Sequence, residues 1–195
     1  MNENFQDFLA DNSEIIIDSL IQNELLKVIP ILGSSLKIIR GVHNVRDIAY
    51  LTKIKFFLDC VGELSVKQKT RIIEDSKKNE KSRAKLGDAI FTTIEKSDSI
   101  VKIEYISVAF EAYLNEDFDE SDLRLICHII NNTFSDELID IIENETPSGD
   151  LKYSVPNGLA EAVYHELTFD GNSEPSYVLS RIAELLRKAW RKYKQ

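Results

Sequence analysis

Proline and glycine are scarce in this chain, with four and seven among 195 residues. A loop-rich or all-β fold needs more of both, so the shortage points to helices. Long apolar runs are missing too. The longest candidate, Val28 to Ile39, is cut by Pro30, Gly33, Ser34, Ser35 and Lys37. It falls short of the roughly 18 apolar residues of a membrane span. The start, MNENFQDFLADNSE, is acidic and lacks the basic and apolar regions of a secretory signal. These absences lead to the expectation of a cytoplasmic protein, with attachment to the inner membrane surface as the one membrane option.

Cysteine and histidine are also few. Cys60 and Cys127 both fall in apolar helical contexts, and two buried thiols are favoured over a single disulfide. His43, His128 and His165 do not approach zinc spacing, and neither C-x-x-C nor H-E-x-x-H occurs. Walker A, G-x-G-x-x-G and G-x-S-x-G patterns are absent. In PILGSS a single glycine precedes two serines, a weak anion-loop signal at best. The loop from Asn115 to Ile126 aligns Asn115, Asp117 and Asp119 with calcium-ligand positions. It puts Glu120 where glycine makes the sharp turn and Ile126 where a bidentate carboxylate belongs. It therefore reads as a capped acidic connection. No catalytic residue, metal ligand or cofactor is assigned, and the chain is expected not to be an enzyme.

What is present is helical patterning inside an acidic composition, with a net charge of −9 and 43% hydrophobic residues. Such a charge opposes nonspecific nucleic-acid binding by the whole surface. Asn12 or Ser13 caps a first helix carrying Ile16, Leu20, Ile21 and Leu25. Pro30 ends that pattern. A second helix runs from Leu36 to about Cys60, or breaks at Gly41, and its last part, IKFFLDCV, is apolar enough for the core. Gly62 ends it. Ser65, the 97–99 serine cluster, Asp119 or Ser121, Ser135 and Ser180 are the expected caps of later helices. Asp75 to Arg83 reads as a solvated helix face or connector.

TPSGD, Thr146 to Asp150, marks an expected boundary between a helical bundle over 1–145 and a small subdomain over 151–195. There a short helix is expected around Asn157 to Ala162. A β-pair follows, Val163 to Phe169 with Ser176 to Leu179, around the Asp170-Gly171 turn. The fold class is thus all-α, a bundle with a small C-terminal β-hairpin and a winged-helix-like tail.

The expected organising stretch is Lys27 to Val61, where Lys27, Lys37, Arg40, Arg46, Lys53 and Lys55 are set against only Asp47 and Asp59, a local balance of +4. A cationic, apolar segment in an acidic protein needs a partner for both properties. Lys37, Arg40, Arg46, Lys53 and Lys55 are therefore the expected partner-binding residues, for a protein or an anionic membrane surface. The alternative is a nucleic-acid-binding regulator using Arg181, Arg187, Lys188 and Arg191 on the last helix. Glu161, Glu166, Asp170 and Glu174 around the wing oppose phosphate there. An enzyme with no visible signature is a third reading, and self-association stays open.

PILGSSLKIIRGVHNVRDIAYLTKIKFFLDCV, VAFEAYLNEDFDESDLRLICHIIN and GLAEAVYHELTFDGNSEPSYVLSRIAELLRK together resemble a group of bacterial helical proteins. These carry a broken apolar segment, a helix–loop–helix and a short winged tail. The resemblance covers most of the chain and carries no activity or functional residue over. It implies a bacterial or phage origin, in the setting of defence or mobile-element genes.

Overall fold

A computed structural model describes residues 15–23, 45–78, 80–164 and 175–194. Residues 15–22 form α1. Val45–Val61 is α2, Val66–Lys78 α3, Glu80–Lys96 α4, Ile100–Leu114 α5, Glu120–Asn132 α6 and Ser135–Glu143 α7. A 3-10 turn, Leu151–Ser154, leads to β1, Ala160–Val163; β2, Ser176–Leu179, runs into α8, Arg181–Tyr193. The molecule is all-α with a small antiparallel hairpin near its C-terminus.

The hub is α5. Eleven of its residues are buried, among them Ile103, Tyr105, Ile106, Phe110 and Leu114. A helix that is apolar on every side needs neighbours on every side. It has them: α2, α6, α8 and α4 all pack on it. The expected organising stretch thus yields its place to α5, although α2 supplies Leu51, Ile54, Phe57, Leu58 and Val61 to the core. The half of that stretch before Val45 lies outside the described residues, as do Asn12, Ser13, Leu25 and Pro30. In α1, Leu20 is buried, whereas Ile21 from the expected stripe is 46% exposed.

Helix ends follow local chemistry. Gly62 adopts φ +66 after α2, the left-handed conformation that ends helices. Ser65 and Gln68 form a reciprocal capping box: the Gln68 amide donates to Ser65 Oγ, and the Ser65 amide donates to Gln68 Oε1 at 2.8 Å. Ser99 Oγ accepts from Lys102 N, Asp119 Oδ1 from Asp122 N, and Ser180 Oγ from Ala183 N. The end of α5 is a Schellman turn, with Glu116 N donating to Tyr113 O and Asp117 N to Ala112 O. Its left-handed position, φ 67, is filled by Glu116 where glycine is usual. Residues 75–78 and 80–83 are helical, so the polar run continues α3 and opens α4.

Two local expectations are corrected. Ser135 is not the cap of α7: Phe134 holds the cap position without a side-chain bond, and the Ser135 hydroxyl meets Ser99 Oγ at 2.7 Å. The serine joins the starts of two helices instead of closing one. Nor do Asn157 to Ala162 form a helix. Gly158 turns the chain at φ +86, and Ala160 to Val163 pair with Leu179 to Ser176 in antiparallel register. Cross-strand pairing overrides the helical preference of a short alanine-rich stretch. The paired strand therefore starts three residues before the expected Val163. The Asp170-Gly171 turn lies outside the described residues.

One buried cluster joins α2, α4, α5, α6 and α7 with Leu159 and with Ala183, Leu186 and Ala189 of α8. Among the described residues, no helix is long and apolar enough to cross a membrane.

Candidate functional site

The last helix carries five cations within thirteen residues, Arg181, Arg187, Lys188, Arg191 and Lys192. Its sequence, RIAELLRKAWRKY, is strongly amphipathic. Ala183, Leu186 and Ala189 are buried, while Arg181, Glu184, Lys188, Arg191 and Lys192 are exposed. The Ser180 hydroxyl starts the helix and also donates to Gly158 O at 2.7 Å, tying it to the turn before β1. Trp190 packs on Tyr105 of α5, ring centres 4.5 Å apart.

Most of the polar side of α8 is used to hold α8 in place. Arg181 pairs with Asp122 at the start of α6. At the other end Lys192 Nζ donates to both Asp117 oxygens at 2.8 and 2.9 Å, and the Tyr193 hydroxyl donates to Oδ2 at 2.6 Å. Partial burial works against the Asp117 carboxylate, but these bonds hold its pKa below the ordinary value. Lys194 reaches Glu104 at 3.2 Å. The acidic loop with partial calcium spacing therefore serves as a two-ended clasp on α8. The Arg187 guanidinium donates to the carbonyls of Asn144 and Glu145 at the end of α7, where unsatisfied carbonyls collect. Its Nε is buried with no hydrogen-bond partner.

Lys188 and Arg191 differ. Both are exposed, one turn apart, and neither has an ion-pair or hydrogen-bond partner among the described residues. With Arg187, Glu145 and Glu184 they line an open groove of about 350 Å³. Of the four cations expected to face nucleic acid, the fold brings Arg187, Lys188 and Arg191 together around this groove. It sets Arg181 apart, in its own ion pair. The two acids of the groove escaped the sequence reading. Glu184 was legible one turn before Lys188, but Glu145 arrives from the chain beyond α7 with no local signal.

The basic segment has a different fate. Lys37 and Arg40 lie outside the described residues, and Arg46 falls in the first turn of α2. Lys53 Nζ donates to Glu95 O at 3.0 Å and to Ser97 O at 2.7 Å, capping the end of α4 from a neighbouring helix. Lys55 pairs with Asp59 one turn on, at 2.6 Å.

Nucleophile and metal chemistry find little to work with in what is described. Cys127 is fully buried, and burial pushes its thiol up to about 12. Cys60 is half-buried and also raised, by burial first, with a Ser107 hydrogen bond acting against it. Neither thiol favours the thiolate, the reactive form. They form no disulfide. His128 is exposed and its ring meets Asn132; His43 and His165 lie outside the described residues. No group of three or more His, Cys, Asp or Glu side chains among the described residues is placed to hold a metal. The buried Tyr105 hydroxyl donates to Glu143 at 2.7 Å, and burial together with that carboxylate raises its pKa.

Comparison with protein-family models, with curated proteins and with solved structures finds no match to this chain.

Proposed function

We propose that this chain is a non-enzymatic interaction protein that docks a macromolecular partner through the exposed charged face of α8. The setting we infer is the bacterial cytoplasm, in the defence or mobile-element context that the sequence resemblance implies. The observation that supports this reading is the division of labour along α8. Arg181, Arg187, Lys192 and Lys194 each hold another element, whereas Lys188 and Arg191 hold none among the described residues and line an open groove. Glu184 lies in the favourable order and spacing to pair with Lys188, yet no such pair forms. Two cations kept at one turn's separation suit a contact with another molecule.

Pull-down from lysate of the source cells with wild type and Lys188→Glu/Arg191→Glu tests the surface. A protein recovered by the wild type and lost by the folded variant is the expected result. Identical recovery by both removes α8 from the reading.

The second reading keeps the basic segment, with Lys37, Arg40, Arg46, Lys53 and Lys55 meeting a protein or the inner membrane face. The local balance of +4 favours it. The internal bonds of Lys53 and Lys55 leave most of that work to Lys37, Arg40 and Arg46. Co-sedimentation with anionic vesicles at two salt concentrations decides it: salt-sensitive binding lost in Lys37→Glu/Arg40→Glu is required, and no binding by the wild type ends it. The nucleic-acid alternative would rest on Lys188 and Arg191, with Arg187 turned to carbonyls and Arg181 to Asp122.

A further inference from the structure

Resting on the α8 reading, we infer that the groove takes a helical protein segment bearing carboxylates one turn apart, which bind Lys188 and Arg191. Three features of the groove point to that chemistry.

The first is spacing. Residues three apart on a helix hold their Cβ atoms roughly 5–6 Å from each other. Lys188 and Arg191 have that relation and share one exposed face. Glutamates at the same interval on a partner helix reproduce the spacing, so two ion pairs form without either helix bending. Arg187 adds a fixed floor. Its guanidinium is pinned by the Asn144 and Glu145 carbonyls, so it loses no freedom when a partner arrives.

The second is the pair of acids. Glu145 and Glu184 line the same groove as the cations. Duplex DNA carries a charge every ~1.7 Å along its axis and cannot avoid setting phosphates against them. A polypeptide chooses each side chain separately. It can meet the cations with carboxylates and the acids with a basic or apolar residue. The net charge of −9 works in the same direction. A long polyanion feels more of that charge, whereas a short segment senses little beyond the Debye length of about 8 Å in physiological salt.

The third is shape. A volume of about 350 Å³ equals that of about a dozen waters in the liquid. The groove is open rather than enclosing, so it admits a few side chains from one face of a helix.

The test uses the full-length protein and fluorescence anisotropy with three labelled probes. One is a synthetic helical peptide with glutamates at intervals of three and four. The second is the same peptide with glutamine for every glutamate. The third is a short duplex DNA. The glutamate peptide is expected to bind wild type at least about tenfold more tightly than the glutamine peptide or the DNA, and to weaken as salt rises. Lys188→Glu/Arg191→Glu should lose about tenfold or more in peptide affinity while keeping its helical circular dichroism. Glu145→Gln/Glu184→Gln should strengthen DNA binding, since it removes the repulsion. Equal affinity for the two peptides, tighter binding of DNA, or no binding of the glutamate peptide each overturns the inference. The pull-down result stands apart from these outcomes. A partner that depends on Lys188 and Arg191 there, with no peptide binding here, leaves α8 as the surface and rejects only the carboxylate-helix chemistry.

Discussion

At the scale of single residues, several polar side chains do structural work that their type alone does not announce. Asp140 is half-buried, and its carboxylate accepts from Ser148 N, Ser148 Oγ and Gly149 N. Those bonds, the Ser148 amide foremost, lower its pKa from 3.8 to about 2. A carboxyl with a folded pKa below its unfolded one stabilises above the unfolded value and loses that effect as pH falls through the folded one. Asp140→Ala should therefore cost on the order of 1 kcal/mol at neutral pH. The difference from wild type should shrink between pH 3.8 and about 2. Urea titrations of both proteins at several pH values read this directly, and a difference that does not change with pH contradicts it. Gly62 offers a second test. A Cβ there meets nothing within 4 Å, so Gly62→Ala costs only the left-handed backbone, about 1 kcal/mol. Gly62→Asn should cost less, because asparagine tolerates that conformation. Equal losses in the two variants would place the cost elsewhere.

At the scale of elements, capping was the most legible signal. Gly62, Ser65, Ser99, Asp119 and Ser180 were all readable as helix ends, because a cap depends on residues within one turn of it. Ser135 failed because its hydroxyl had a competing partner 36 residues away in Ser99, a contact no local pattern contains. The helix expected around Asn157 to Ala162 failed for the same reason, since the strand that pairs with Ala160 to Val163 begins only at Ser176. Ser180 carries two jobs, accepting from Ala183 N and donating to Gly158 O. Ser180→Ala should accordingly cost about 1–2 kcal/mol, near the upper end for a cap. Thermal unfolding measures it, and a loss of only a few tenths would mean that the Gly158 bond contributes nothing.

At the scale of the molecule, the question is whether the chain after TPSGD unfolds on its own. The buried cluster is continuous from α2 to Ala183, Leu186 and Ala189, and Arg181 pairs α8 with the start of α6 while Lys192 pairs it with the loop between α5 and α6. Leu186→Ala is therefore expected to destabilise the whole protein by about 2–5 kcal/mol. Unfolding should remain a single transition, with Trp190 fluorescence and far-ultraviolet circular dichroism coinciding. Trp190, the only tryptophan, lies in α8 against α5 and so reports on that junction. Two separated transitions would establish an independent C-terminal unit instead.

The sequence by itself determined the helical class, the positions of most helix ends, the hairpin near the C-terminus and the amphipathic last helix. All of these rest on spacing and chemistry within a few residues. Only the tertiary structure decided which charges remain available. Lys53 disappears into the end of α4, Arg187 into the end of α7, and Asp117 and Asp122 close on α8 from across the chain. A cation's partner is set by what packs beside it, often more than 40 residues away, as between Lys53 and Ser97. Composition counts such charges without locating them. The difference between a lysine bonded within the fold, as Lys53 is, and one with no partner among the described residues, as Lys188, becomes visible only when the helices are packed.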